Sequence, residues 1–226
     1  MKRVKICCIQ SLAEARLAID AGASALGLVT EMPSGPGVAS YEIISEILKA
    51  VPPAIGTFLL TSKRSANEII EQHNRCPSNV IQLTDKLEMD EFLRLRDLLP
   101  AIKLVQVVHV VGEQSIKEAV LVAPIVDAIL LDSGNPNLNV KELGGTGRVH
   151  DWRISRRIRD EIGVPLFLAG GLNAENVADG ILQVEPFGID ICSGVRTDGA
   201  LDPVKLRRFM SVVNEPRLSI STLLAI

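Results

Sequence analysis

Short apolar runs rich in Val, Ile and Leu alternate with segments of helical period, and they do so eight times. The runs span residues 4–9, 25–30, 54–60, 79–84, 103–110, 128–133, 165–169 and 189–193. The helical segments span 11–21, 40–50, 65–75, 88–99, 113–123, 151–161, 174–184 and 202–213. Runs that are apolar on both faces belong to strands buried on both faces, as in a parallel sheet covered by helices. Eight such units, with no break in composition between them, predict one α/β domain over residues 1–226: a (βα)8 TIM barrel. An open doubly wound sheet is the rival arrangement.

Length agrees, because barrels of this kind run to roughly 200–250 residues as one domain. Hydrophobic residues make up 47% of the chain and aromatics only 3%, so the core must be aliphatic. Helix ends carry their own signals. Ser11 is placed to cap the first helix with Glu14 as its capping-box partner, and Gly22 is placed to end it. An apolar tail, about 215–226, follows the last helix.

The formal net charge of −3 gives no reason to expect nucleic acid or an anionic membrane as partner. The basic face of Arg153, Arg156, Arg157 and Arg159 reads as a solvated helix surface. No apolar run reaches the ~20 residues of a membrane span. The four cysteines, Cys7, Cys8, Cys76 and Cys192, match no common zinc spacing. Free thiols behind no secretory signal point to the cytoplasm. The chain is expected to be a monomer or a homodimer.

In a barrel, working groups sit at the C-terminal ends of strands and in the loops after them. Gly170-Gly171 and Ser193-Gly194 follow the seventh and eighth runs, where glycine backbone and helix N-termini suit a phosphate. Tight turns alone would also use these glycines. The loop Gly144-Gly145-Thr146-Gly147 after the sixth run adds Gly145 and Gly147 as candidate substrate contacts. Cys7 and Asp132, at the tips of the first and sixth runs, form the candidate base and acid. Spacing leaves a second reading open, with Cys7 an inert buried thiol and Asp132 a loop cap. His109, on an apolar strand, reads as a core residue.

In order along nearly the whole chain, these motifs resemble the phosphoribosylanthranilate isomerase family of tryptophan biosynthesis. The likeness runs from Val4-Lys5-Ile6-Cys7 through Ala21-Gly22-Ala23, Ile81-Gln82-Leu83 and Leu130-Leu131-Asp132-Ser133. It ends in Ala169-Gly170-Gly171-Leu172 and Ser193-Gly194-Val195. The resemblance implies an Amadori rearrangement of N-(5'-phosphoribosyl)anthranilate, an aldose-to-ketose isomerisation. It implies Cys7 as the base at the sugar C2, Asp132 as the acid at the ring oxygen, the glycine loops as the phosphate site, a small sugar phosphate as the partner, and no metal or organic cofactor.

Four departures stand out. The family's Ser-Pro-Arg, whose arginine grips the anthranilate carboxylate, is replaced in Met32-Pro33-Ser34-Gly35-Pro36-Gly37. The usual Gln-Leu-His-Gly ends in Thr84-Asp85, the glycine after the catalytic cysteine is Cys8, and the glutamate after Ser-Gly-Val is Arg196. Arg148 and Arg196 are the candidate substitutes for the Ser-Pro-Arg arginine, and Asp190 is a further candidate substrate contact. The alternatives are an isomerase of another phosphorylated aminosugar, or a non-catalytic barrel that binds a phosphate metabolite.

Overall fold

The computed structural model describes residues 2–33, 35–135, 138, 141–144 and 147–215. Strands and helices alternate throughout. The chain runs β1 (Arg3–Ile6), α1 (Leu12–Asp20), β2 (Ala25–Val29), α2 (Tyr41–Ala50), β3 (Gly56–Thr61), α3 (Ala66–Arg75), β4 (Val80–Leu83) and α4 (Met89–Leu98). It continues β5 (Lys103–His109), α5 (Gln114–Val122), β6 (Ala128–Asp132), α6 (Trp152–Glu161), β7 (Leu166–Leu168), α7 (Val177–Val184), β8 (Gly188–Ile191) and α8 (Pro203–Asn214). Each strand lies parallel to the next, and β1 pairs with β8 from Arg3↔Gly188 to Ile6↔Ile191. That pairing closes the barrel and rules out the open sheet.

Period-2 alternation sorts each strand into two apolar layers. Val4, Ile6, Leu26, Leu28, Leu59, Ile81 and Leu131 point outward and pack beneath the helices. Ala25, Val29, Leu60, Val80, Val105, Val107, Ala128 and Leu130 point inward and fill the barrel. The bottom is aromatic. Phe167 meets Phe58 edge-on at 5.9 Å between ring centres and Phe187 at 5.6 Å, so three of the chain's five phenylalanines plug one end.

Helix α1 is capped as its sequence suggests on one side only. The Ser11 hydroxyl accepts the Glu14 amide at 3.2 Å, but the Glu14 carboxylate takes the Gln10 amide at 3.0 Å instead of closing the box on Ser11. Helix α7 begins at Val177, three residues later than the periodicity suggests. Asn173 and Asn176 fold the preceding turn: Asn176 Oδ1 accepts the Asn173 backbone amide at 2.9 Å, and Asn173 Oδ1 accepts the backbone amides of Glu175 and Asn176. β1 ends at Ile6 rather than at residue 9, because Cys8 has φ 65° and breaks the strand. A small antiparallel pair, β9 (Arg196–Thr197) and β10 (Ala200–Leu201), was not legible in the sequence. Gly145 and residues 216–226 of the apolar tail lie outside the described residues. Among those described, no helix is long and apolar enough to cross a membrane.

Candidate active site

The C-terminal ends of the strands open into a cavity. Its walls include Cys7, Asp132, Asp190, Gly147, Gly170, Gly171 and Ser193, so most of the predicted site residues converge. Gly194 stands just behind. A β-carbon there would collide with the Leu172 carbonyl, so only glycine lets the loops after β7 and β8 pack backbone to backbone. Met32, Pro36, Leu60 and Leu143 make the remaining wall apolar, and Gln82 and Thr84 add polar groups from β4 and the residue after it.

The base side starts one layer deeper. Lys5 is fully buried in the barrel interior and bonds Asp190 Oδ1 at 2.9 Å. The two residues are register partners on β1 and β8, so strand pairing itself sets the contact. Cys7 follows Lys5 by two positions and therefore faces inward too. Gly27 on β2 leaves the room: a β-carbon there would lie 2.7 Å from Cys7 Sγ and 2.9 Å from Lys5 Nζ. The neighbouring Cys8 thiol, donating to Cys7, holds the Cys7 thiol below the ordinary range; burial opposes this, and the Lys5 ammonium adds to the lowering. Burial works against the Lys5 charge, yet Asp190 and Cys7 keep it protonated. Lys5 escaped the sequence reading. The available signal was a cation in an apolar strand on the same face as Cys7.

Cys8 turns the chain out of β1 in the left-handed region, which explains why glycine is usual there. Its side chain needs space, and Gly37 (φ 84°) supplies it. A β-carbon at Gly37 would collide with the Cys8 β-carbon. Cys8 Sγ lies 2.6 Å from Cys192 Sγ, and hydrogen bonding to Cys192 and Cys7 together with burial pushes the Cys8 thiol well up.

Arg196 corrects an expectation. It is buried, and its guanidinium is engaged by Glu14 at 3.0 Å, the Gly199 carbonyl at 2.8 Å, and the carbonyls of Cys7 and Cys8. It holds the tip of β1 from outside the cavity and does not face the substrate space. Burial alone would raise the Glu14 carboxyl, but Arg196 and the amides of Leu201 and Gln10 hold it below its usual range. Arg148 is also turned aside: it ion-pairs with Glu142 on an exposed loop, and its backbone carbonyl backs onto Gly171. Among the described residues, no arginine lines the cavity.

On the acid side, Asp132 Oδ1 accepts the Ser133 amide at 2.7 Å, and Oδ2 stands against Gly144. His109 sits behind it, donating from Nε2 to the Thr84 carbonyl at 3.1 Å, as a core residue would. Thr84-Asp85 is tied down as well. Thr84 donates to the Thr61 carbonyl at 3.0 Å, and Lys141 from the loop after β6 pairs with Asp85 at 2.5 Å. His150, hydrogen-bonded to Ser155 at 2.7 Å, is mostly buried, and burial pushes its imidazole down to about 4 against a smaller opposing pull from Asp132. Among the described residues, no cluster of three His, Cys, Asp or Glu side chains is arranged to hold a metal.

Residues 4–212 match the family model described as N-(5'phosphoribosyl)anthranilate (PRA) isomerase. The chain belongs to this family. It is 34% identical over 224 residues to N-(5'-phosphoribosyl)anthranilate isomerase of Methanosarcina acetivorans, covering 93% of this chain and 92% of that one. It is 34% identical over 213 residues to the same enzyme of Methanothrix thermoacetophila, covering 93% and 97%. Among solved structures, the Thermotoga maritima enzyme superposes with a TM-score of 0.81 at 29% identity, covering 94% of this chain and 98% of that one. A phosphoribosyl anthranilate isomerase in complex with reduced 1-(o-carboxyphenylamino)-1-deoxyribulose 5-phosphate superposes at 0.78 with 27% identity, covering 93% and 97%. Family membership and the closed barrel confirm the resemblance read from the motifs.

Proposed function

We propose that this barrel isomerises N-(5'-phosphoribosyl)anthranilate to the carboxyphenylamino-deoxyribulose phosphate, acting in the cytoplasm on a free small-molecule substrate. One observation carries the reading: a Cys7 thiol held in a low range and the Asp132 carboxyl line one cavity with the glycine loops. Asp132 donates a proton to the furanose ring oxygen, and the C1–O bond opens to an iminium. The Cys7 thiolate then takes the C2 proton, the electron pair flows to nitrogen, and the enolamine tautomerises to the ketose. One proton enters at the ring oxygen and one leaves C2, ketonisation moves the 2-hydroxyl proton to C1, and return of the Cys7 proton to Asp132 through solvent resets the enzyme. Gly170, Gly171, Ser193 and Gly194 bind the phosphate through backbone amides and the Ser193 hydroxyl, with Gly145 and Gly147 as further substrate contacts. Asp190 acts through Lys5, which positions the thiolate.

The apolar wall of Met32, Pro36 and Leu143 favours a second reading, in which the acceptor is a phosphorylated aminosugar lacking the anthranilate carboxylate. Loss of a charge-assisted arginine contact is worth roughly 1.5–3 kcal/mol, so the anthranilate substrate would bind correspondingly weaker. A fluorescence assay with phosphoribosylanthranilate made in situ separates the two. Turnover by the wild-type protein that falls by about 10³-fold or more in Cys7→Ala and Asp132→Asn supports the first reading. A folded wild type with no turnover refutes it and leaves the second.

A further inference from the structure

We propose that Cys8 and Cys192 form a covalent modification site, which a low-molecular-weight disulfide converts into a cross-link between the tips of β1 and β8, withdrawing the Cys8 thiol from Cys7. The two sulfurs lie 2.6 Å apart, closer than unbonded thiols need to be. Both side chains line the active-site cavity, and Cys192 is partly exposed there, so a reagent entering from the mouth meets it first. Cys8 is not free to turn away. Arg196 grips its carbonyl, and its β-carbon is seated against Gly37. Cys7 packs instead toward Lys5 and Gly27, and Cys76 is a distant buried thiol whose Sγ points at the Tyr41 carbonyl. The family pattern has glycine at the Cys8 position, so the pair belongs to this chain's own departure from it.

The chemistry balances with one oxidant. The Cys192 thiolate attacks a sulfur of the incoming disulfide, and the first thiolate leaves. Cys8 loses its proton and attacks the Cys192 sulfur, forming the protein disulfide and expelling the second thiolate. The two leaving groups take up the two cysteine protons. Two cysteines are oxidised, and one small disulfide is reduced to two thiols. The cross-link leaves Cys8 with no S–H to donate to Cys7, so the base holds its proton more tightly. This last consequence rests on the isomerase reading; formation of the link does not.

The test equilibrates the whole protein with mixtures of oxidised and reduced glutathione, quenches with acid, alkylates the remaining thiols and maps the peptides by mass. The expected result is a loss of about 2 Da, two of the four cysteines still alkylated, and one cross-linked pair containing Cys8 and Cys192. Cys76→Ser should form the same link, and Cys192→Ser should not. Four alkylated cysteines at the most oxidising ratio, or a link joining Cys7 to Cys8, would overturn the site. In the same samples, phosphoribosylanthranilate turnover should fall by up to about tenfold at acidic pH and return with dithiothreitol. A formed link with unchanged turnover would overturn the coupling to Cys7. No turnover even by the reduced protein would count against the isomerase reading and leave the thiol pair standing on its mass evidence.

Discussion

Lys5 is wholly shielded from solvent, and its charge persists because Asp190, 2.9 Å away, and Cys7 favour it. Removing one partner of a buried pair leaves the other charge stranded, which costs about 3–5 kcal/mol. Lys5→Met should destabilise the protein by that amount in urea titrations. It should also raise the Cys7 thiol, moving the acidic limb of kcat/KM to higher pH and slowing alkylation of the Cys7 peptide. Lys5→Met combined with Asp190→Leu should recover stability without recovering the reactive thiol. Recovery of both would show that Lys5 serves packing alone. Cys7 and Asp132 were legible as strand-tip residues, because an apolar run ending in a reactive group announces the barrel rim. Lys5 and the Cys8–Cys192 contact were not, since they depend on which strand closes against which. Arg196 was misplaced for a related reason. Its neighbours in sequence are the phosphate loop, but its partners in space are Glu14 and the carbonyls of β1's tip.

Helices and strands were easier to read than the loops between them. Each strand announces itself by an apolar run, and only details such as the Asn173–Asn176 turn before α7 moved a boundary. The segments after β1, β2, β4 and β8 carry this chain's departures from the family, and their partners come from other units: Gly37 beneath Cys8, Lys141 on Asp85. The entry to α6 carries a pH consequence. His150 titrates at about 4 in the fold against about 6.5 in an unfolded chain, because burial disfavours its charged form. Between those values the unfolded chain binds the extra proton, so stability is full above pH 6.5 and declines as the pH falls toward 4. The shift is worth up to about 3 kcal/mol. Between pH 7 and pH 4.5, urea midpoints should convert to a loss about 2 kcal/mol larger for the wild type than for His150→Asn. Equal losses would place the acid sensitivity in other groups.

The eight-stranded sheet is one ring of hydrogen bonds without an edge, since β1 and β8 each need the other. If residues 1–226 fold as one cooperative unit, Trp152 fluorescence and far-ultraviolet circular dichroism should report the same guanidinium midpoint. Two separated transitions would instead show that part of the ring unfolds on its own. The seam between the first and last strands also sets a timetable. Lys5 and Asp190 are 185 positions apart, and a ribosome adding ~5–20 residues per second leaves roughly 10–40 s between them. Through that interval the nascent chain carries a lysine without its buried counter-charge and a Cys8 thiol without Cys192 beside it. The barrel therefore acquires its chemistry almost at the last moment of synthesis, when the final strand arrives to receive the first.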